Sequence, residues 1–454
     1  MPFSRIKHII IFWITILFIL HDGFAQSSIL SDGSWHRIDV RNDGIYRIRY
    51  EDLVSRGVLQ NPVPSSRIAL FGGPNGALPL PNRSGETFDL QEIAILVVDN
   101  GSGTFGTGSY ILFYGQSPSS WNWNSTQRKY TFHMNVFTDV MAYFLTTDYL
   151  VGTRKRLANK PIETSPTITI TEFLDHYRYE KDDVNPFKSS QEWYGERLDP
   201  ARPNLTIDLN LPGLVTSKPV IINARLVINE PARVAISNGN NPTRTLSYGS
   251  TINDWMVELK DEFSWTFTNA TPGISFAYTR LSNNTSWAYL DYLELHYRRQ
   301  LSFVGNAPFQ FRFVDNETEI GKFIIGSANS TSQFWDISNP LEPQIVQGTP
   351  EGNTFSFTSS LVGRPEFIGF SENSVTSITQ FEPIQNQNFH GVDSVEYVIV
   401  VHPLFRSEAE RLAEFHRNRN LNVLVVTPTE VFNEFSFGRQ YPMGIRRMMR
   451  HYRN

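Results

Sequence analysis

The sequence predicts a mainly β protein, built of β-sandwich or jelly-roll-type domains, that passes near its C-terminus into the start of an α/β domain. Three observations carry this. Short alternating strands broken by Gly, Pro, Asn and Ser run from Trp35 to Phe381, and period-two alternation marks half-buried strands. The aromatic share is high at 13%, with many Thr, Val and Ile residues, the types that fit a pleated surface. Only after residue 404 does the pattern change to a helical stripe set between two apolar runs.

At 454 residues the length suits about three domains. Arg5, Lys7 and His8 precede the apolar run Ile9–Leu20, and Gly23-Phe24-Ala25 is a small-residue cleavage site. Residues 1–25 therefore read as a secretory signal peptide, with the mature chain starting at Gln26. The apolar run is shorter than the roughly 20 residues a spanning helix needs, and no later stretch qualifies. An exported protein is expected. The chain has no cysteine, which removes disulfides and a lipid-attachment site, so stability must come from core size. A formal net charge of -5 argues against a nucleic-acid partner.

Residues 27–155 read as an N-terminal β domain. His36, Ile38 and Val40 alternate, Asn42-Asp43-Gly44 turns the chain, and Tyr46, Ile48 and Tyr50 alternate on the return. That pattern predicts a hairpin with a D-G turn. Ile68–Phe71, Ile93–Val98, Tyr110–Tyr114 and Tyr143–Thr147 continue it, with one helical turn at Glu51–Gly57. Residues 156–301 read as a jelly-roll-like sandwich. Its strands are Thr206–Leu211, Val220–Val227, Trp255–Leu259, Trp265–Thr268, Ile274–Tyr278 and Ala288–Tyr297. Residues 302–385 form a small β domain, and the polar stretch 382–390 (EPIQNQNFH) reads as a linker.

Residues 391–454 open the α/β domain. Tyr397–Val401 is wholly apolar and predicts a strand buried on both faces. Phe405, Ala409, Leu412, Ala413 and His416 form one helix stripe, and Leu421–Val426 is a second buried strand. Thr427 as N-cap, Pro428 at N1 and Glu430 at N3 make a capping box. Gly438 ends that helix, and a last one carries Ile445, Met448, Met449 and Tyr452 inward. Two parallel strands do not make a covered sheet. The domain is thus expected to be truncated at Asn454, protease-sensitive, and trimmed first near 382–390.

No catalytic constellation is apparent. The ten histidines are scattered without metal-ligand spacing. Gly101–Gly108 (GSGTFGTG) lacks the following helix of a phosphate loop and reads as a hairpin loop. Asp182, Asp183, Glu192 and Glu196 suggest a carboxylate pair or calcium site, against the simpler reading of a solvated loop. His402 stands at a strand end where open sheets place ligands, though with Pro403 it more simply starts a turn. Arg439, Arg446, Arg447, Arg450 and Arg453 read as one solvated helix face. Trp121-Asn122-Trp123 could stack on sugars, which would suit a cell-surface module binding glycan or protein; buried packing is the commoner use. No cofactor-binding or metal residue is assigned.

Several stretches resemble the sortases of the type IX secretion system of Bacteroidetes, a family of gingipain-like cysteine peptidases. These are Asp43–Leu53 (DGIYRIRYEDL), Tyr110–Trp121 (YILFYGQSPSSW), Glu192–Glu196 (EWYGE), Trp287–Leu301 (WAYLDYLELHYRRQL), Phe334–Pro343 (FWDISNPLEP) and Glu396–His416 (EYVIVVHPLFRSEAERLAEFH). The resemblance spans nearly the whole mature chain. It implies β-rich domains ahead of a caspase-like α/β peptidase domain, acting at the outer membrane to remove C-terminal signals from secreted cargo. Its implied partners are cargo proteins carrying C-terminal signal domains and other outer-membrane secretion components. The family uses a Cys nucleophile activated by a His. Both are expected beyond Asn454, and His402 precedes the position of the family's His. No catalytic residue carries over, and the chain is expected to be inactive alone.

Overall fold

The computed structural model describes residues 27–79, 89–186, 188, 192–250, 252, 255–282 and 286–453. The signal-peptide reading, residues 1–25 with cleavage before Gln26, lies outside them. The chain is mainly β, with three β units and a short α/β segment after residue 396. No described helix is long and apolar enough to cross a membrane.

The first unit is a sandwich. One sheet runs Glu382–Ile384, Trp35–Val40, Met141–Thr146, Ala69–Gly72, Gln91–Ile93; the other runs Thr376–Ser377, Gly44–Arg49, Tyr110–Gly115, Leu96–Val98. The hairpin expected at Asn42-Asp43-Gly44 is therefore a corner between sheets. Ile38 and Val40 lie opposite Tyr143 and Met141, while Tyr46 and Ile48 lie opposite Phe113 and Ile111. Both strands point their apolar side chains into one core. Asp43 fixes the corner by accepting the Ser117 N–H at 2.9 Å. Alternation reports which face is buried and is silent on which neighbour a strand pairs with.

The second unit is a jelly roll. One sheet is ordered Glu172–Glu180, Ala288–Gln300, Val220–Ile228, Val257–Trp265; the other is ordered Asn204–Asp208, Gly273–Arg280, Ala232–Ser237, Arg244–Tyr248. Counted along the chain, these eight strands run 1-8-3-6 and 2-7-4-5, the two interlocked Greek keys of that fold. The runs expected at Trp255–Leu259 and Trp265–Thr268 are one strand ending at Trp265, and Trp255 lies outside it, 77% exposed.

The third unit packs two sheets around a cluster of phenylalanines that includes Phe311, Phe323, Phe357 and Phe367. Its sheets cross the sequence blocks. Ala158–Asn159 pairs with Gln344–Ile345, and Ile168–Ile170 pairs with Ile320–Gly326. Conversely, Glu382–Ile384 joins the first unit beside Trp35.

In the α/β segment, Tyr397–Val400 and Val423–Val426 are parallel partners, followed by helices Arg406–Arg417, Pro428–Phe435 and Met443–His451. The first strand is not buried on both faces: Tyr397 and Val400 are each exposed at the sheet's edge. The helix stripe is also narrower than expected. Ala409 and Ala413 pack on the strands, while Phe405 and Leu412 face solvent. Met448 points inward, and Met449 does not.

Candidate functional site

In an open parallel sheet the functional edge lies beyond the carboxyl ends of the strands. Here two turn-and-helix starts occupy that edge. His402 precedes a single 3-10 turn, and its Nδ1 accepts the Leu404 N–H at 3.3 Å. The turn-starting role is the one this geometry uses. Thr427 and Glu430 form the expected capping box: Glu430 accepts the Thr427 N–H at 2.6 Å, and Thr427 Oγ1 accepts the Glu430 N–H at 3.3 Å. Arg406 donates to both Glu430 carboxylate oxygens at 3.0 Å. These groups order the edge, and with no cysteine in the chain none of them is a thiol nucleophile.

One turn further on, Glu434 is fully buried. It accepts the N–H groups of Phe389 and His390 at 3.0 Å, the His390 Nδ1–H at 2.7 Å and the Gln387 side chain at 2.9 Å. Burial pushes its pKa up, but the bonds from His390, Phe389 and Gln387 prevail and hold it below the usual carboxylate value. Around it, Asn388 accepts the Ser28 N–H at 2.8 Å, and Tyr452 donates to the Phe389 carbonyl at 2.7 Å. The stretch expected to be a loose linker is thus tied to the first β unit, the middle helix and the last helix. Trimming at 382–390 loses its basis; the exposed edge at Tyr397 is the weaker point. Spacing could have flagged Glu434, since it shares a helix face with Val431 and Phe435, both fully buried.

The loop after that helix plugs into the first β unit. Phe437 packs so closely on Gly73 that a Cβ there would lie 2.2 Å from its ring. Gly438, at φ +77°, has no room for a side chain between Ala142 and Phe144. Its N–H bonds the Phe432 carbonyl at 2.7 Å, closing the helix as expected. Two arginines exchange across the junction: Arg37 donates to the Gly438 carbonyl and Arg439 to the Gly76 carbonyl, each at 2.7 Å. Arg439 is completely buried, and Arg447 nearly so. Burial, then the charge of Arg447, lowers the Arg439 pKa to about 10. The expected solvated arginine face is therefore split: Arg446 and Arg453 are exposed, and Arg450 is half-buried. Helical spacing alone missed this, because the junction is formed by residues about 290 to 400 positions apart.

Beside the plug opens a cleft of about 1090 Å³ between the first unit and the jelly roll, lined among others by Arg37, Asp39, Glu180, Asp182, Trp193 and Gln440. Burial, then the charges of Glu180 and Asp291, raise Asp182 to about 6. Asp182 and Glu192 line this cleft. Glu196 is instead engaged by Lys181 at 2.7 Å. Among the described residues, no three acidic or histidine side chains are grouped to hold a cation. Gly101–Gly108 lies in the connection between the paired strands Leu96–Val98 and Tyr110–Gly115. Trp121 and Trp123 pack against His176 and Tyr130, so they form no open sugar platform.

The comparisons with known proteins agree with this arrangement. The model of peptidase family C25 matches residues 391–454, the α/β segment. No curated protein sequence matches the chain. Among solved structures, dimeric latent PorU from Porphyromonas gingivalis is similar at TM-score 0.80 and 21% identity, over 94% of this chain and 40% of that one. The insecticidal δ-endotoxin Cry8Ea1 from Bacillus thuringiensis aligns over 52% of this chain and 42% of its own, at 11% identity and TM-score 0.18, too low to bear on the fold. The chain therefore has a PorU-like fold, spans 40% of the length of that relative, and carries a peptidase family C25 region at residues 391–454.

Proposed function

We propose that this chain is the β-rich body and first peptidase elements of a type IX secretion sortase, a cysteine endopeptidase that removes C-terminal signals from exported cargo. The observation that supports it is a coincidence of place. Among the described residues, the family C25 match falls on the segment where three consecutive α-helices appear, within a fold likeness covering 94% of the chain. In this reading the β units seat the peptidase elements, and no cysteine among residues 1–454 serves as the nucleophile. The protein acts at the outer membrane of a Gram-negative cell, on cargo bearing C-terminal signal domains, alongside other secretion components.

Deleting the gene in its source organism tests the proposal. Mass spectrometry of exported cargo should then find C-terminal signals retained. Normally processed cargo in the deletion strain contradicts the proposal. Loss of surface binding with normal processing would favour a non-catalytic module.

A further inference from the structure

Between two strands of the first unit, residues 120–133 leave the sandwich as a two-stranded arm, Ser120–Asn124 paired with Lys129–His133. The arm lies on the outer face of the jelly-roll sheet. Trp121 sits 4.1 Å from the ring of His176, and His296 Nε2 meets the Tyr130 carbonyl at 2.9 Å. His176 and His296 are directly opposite one another on adjacent strands, so their rings are close neighbours beneath the arm.

We propose that this arm is an acid-released joint, in which neutral His176 and His296 hold it on the jelly roll and their protonation frees it. The geometry around each ring carries the argument. His296 is 2% exposed, and the Nδ1 of His176 is buried without a hydrogen-bond partner. Neither ring has a free carboxylate to meet a new charge. On the strand of His176, Asp175 Oδ1 lies 4.0 Å from Nδ1 but already accepts the His176 backbone N–H at 2.8 Å, while Oδ2 holds Arg299 and Tyr297, each at 3.0 Å; Arg178 there is bound by Glu180 and Glu294. On the third unit, Arg312 stacks over Tyr130 at 4.5 Å and pairs with Glu366. On the arm, Lys129 is paired with Glu262 of strand Val257–Trp265 in the same jelly-roll sheet. Beside His296, Arg298 occupies Asp315, with Arg128 and Lys218 lining the same pocket. A proton on either ring therefore enters a site whose acids are taken and whose remaining charges are positive.

The direction follows. Burial, then the charges of Arg312 and His296, holds His176 well below 6.5. Burial, offset by the bond to the Tyr130 carbonyl, lowers His296 to about 4. Both are depressed in the docked state, so docking is complete above pH 6.5 and is lost progressively as pH falls from 6.5 towards 4. Each histidine shifts the docked-to-free ratio by up to about tenfold per pH unit in that window. Once free, a two-stranded hairpin is at best marginally stable and its amides exchange.

Hydrogen exchange of the whole chain at pH 7 and pH 5, corrected for the intrinsic rate, reads this directly. Peptides covering 120–133 should lose at least tenfold protection at pH 5, while the jelly-roll core strand Val220–Ile228 keeps its own. H176Q/H296Q should abolish the pH dependence in the arm. Equal arm protection at both pH values overturns the proposal without any variant. So does parallel loss in the core strand, which would mean global acid unfolding. Persistence of the pH dependence in a folded H176Q/H296Q protein overturns it as well.

Discussion

Phe437→Ala is the perturbation that bears most sharply on how the α/β segment is held. The Phe437 side chain is 3% exposed, belongs to the cluster of Trp35, Phe71, Ala142, Phe144 and Tyr441, and lies under two guanidinium groups, Arg439 and Arg447, each 5.7 Å from its ring centre. Removing a buried Phe costs about 3–5 kcal/mol through lost transfer energy and the void left behind, and loss of the cation–π contacts places this site towards the upper end. Gly73→Ala should act from the other side. Its Cβ would stand 2.2 Å from the Phe437 ring, an overpacking worth about 1–3 kcal/mol. In G73A/F437A the new methyl enters the space the ring leaves, so the double variant should cost less than the sum by at least about 0.5 kcal/mol. Hydrogen exchange of helix Pro428–Phe435 is the assay. A loss of about 4 kcal/mol corresponds to roughly a thousandfold faster exchange. Strict additivity of the two variants, or unchanged protection in F437A, would refute the reasoning.

Other outcomes follow from the same contacts. Glu434→Gln should destabilise the segment by about 2–4 kcal/mol by removing a buried charge bonded by His390, Phe389 and Gln387. The folded Glu434 pKa is depressed, so its contribution is complete above the ordinary 4.5 and lost as pH falls through the folded value; melting curves of E434Q should lack that acid-side loss. Thr427→Ala should cost about 0.5–2 kcal/mol by undoing the capping box, measured by urea unfolding. The purified 454-residue chain has no thiol and should cleave no peptide substrate, with or without alkylating reagents; peptide hydrolysis surviving rigorous purification would point to an unassigned site.

Local patterns were legible where local physics decides them. The Thr427-Pro428-Thr429-Glu430 cap, the strand pair around it and the jelly-roll character of the middle unit all follow from side-chain periodicity and capping chemistry. Pairing was not legible. His36–Val40 and Tyr46–Tyr50 alternate as a hairpin does, and the same alternation serves two strands facing each other across a core. Arg439 and Arg447 read as solvated because charge usually is; their burial depends on the Gly76 carbonyl and the Phe437 ring, which no helix periodicity brings into view. The arm at 120–133 was visible only as two tryptophans. Its seat is a face of the jelly roll made by strands 40 to 170 residues later.

The α/β segment and the β units form one body, joined by the hydrogen bonds around Glu434 and the Phe437–Tyr441 plug. Native-state hydrogen exchange of the unmodified chain at pH 7 tests it most directly. Amides of Pro428–Phe435 should exchange as slowly as those of the first-unit strand Met141–Thr146, while the edge strand Tyr397–Val400 exchanges faster. Rapid exchange throughout residues 391–453, with the β units still protected, would contradict it.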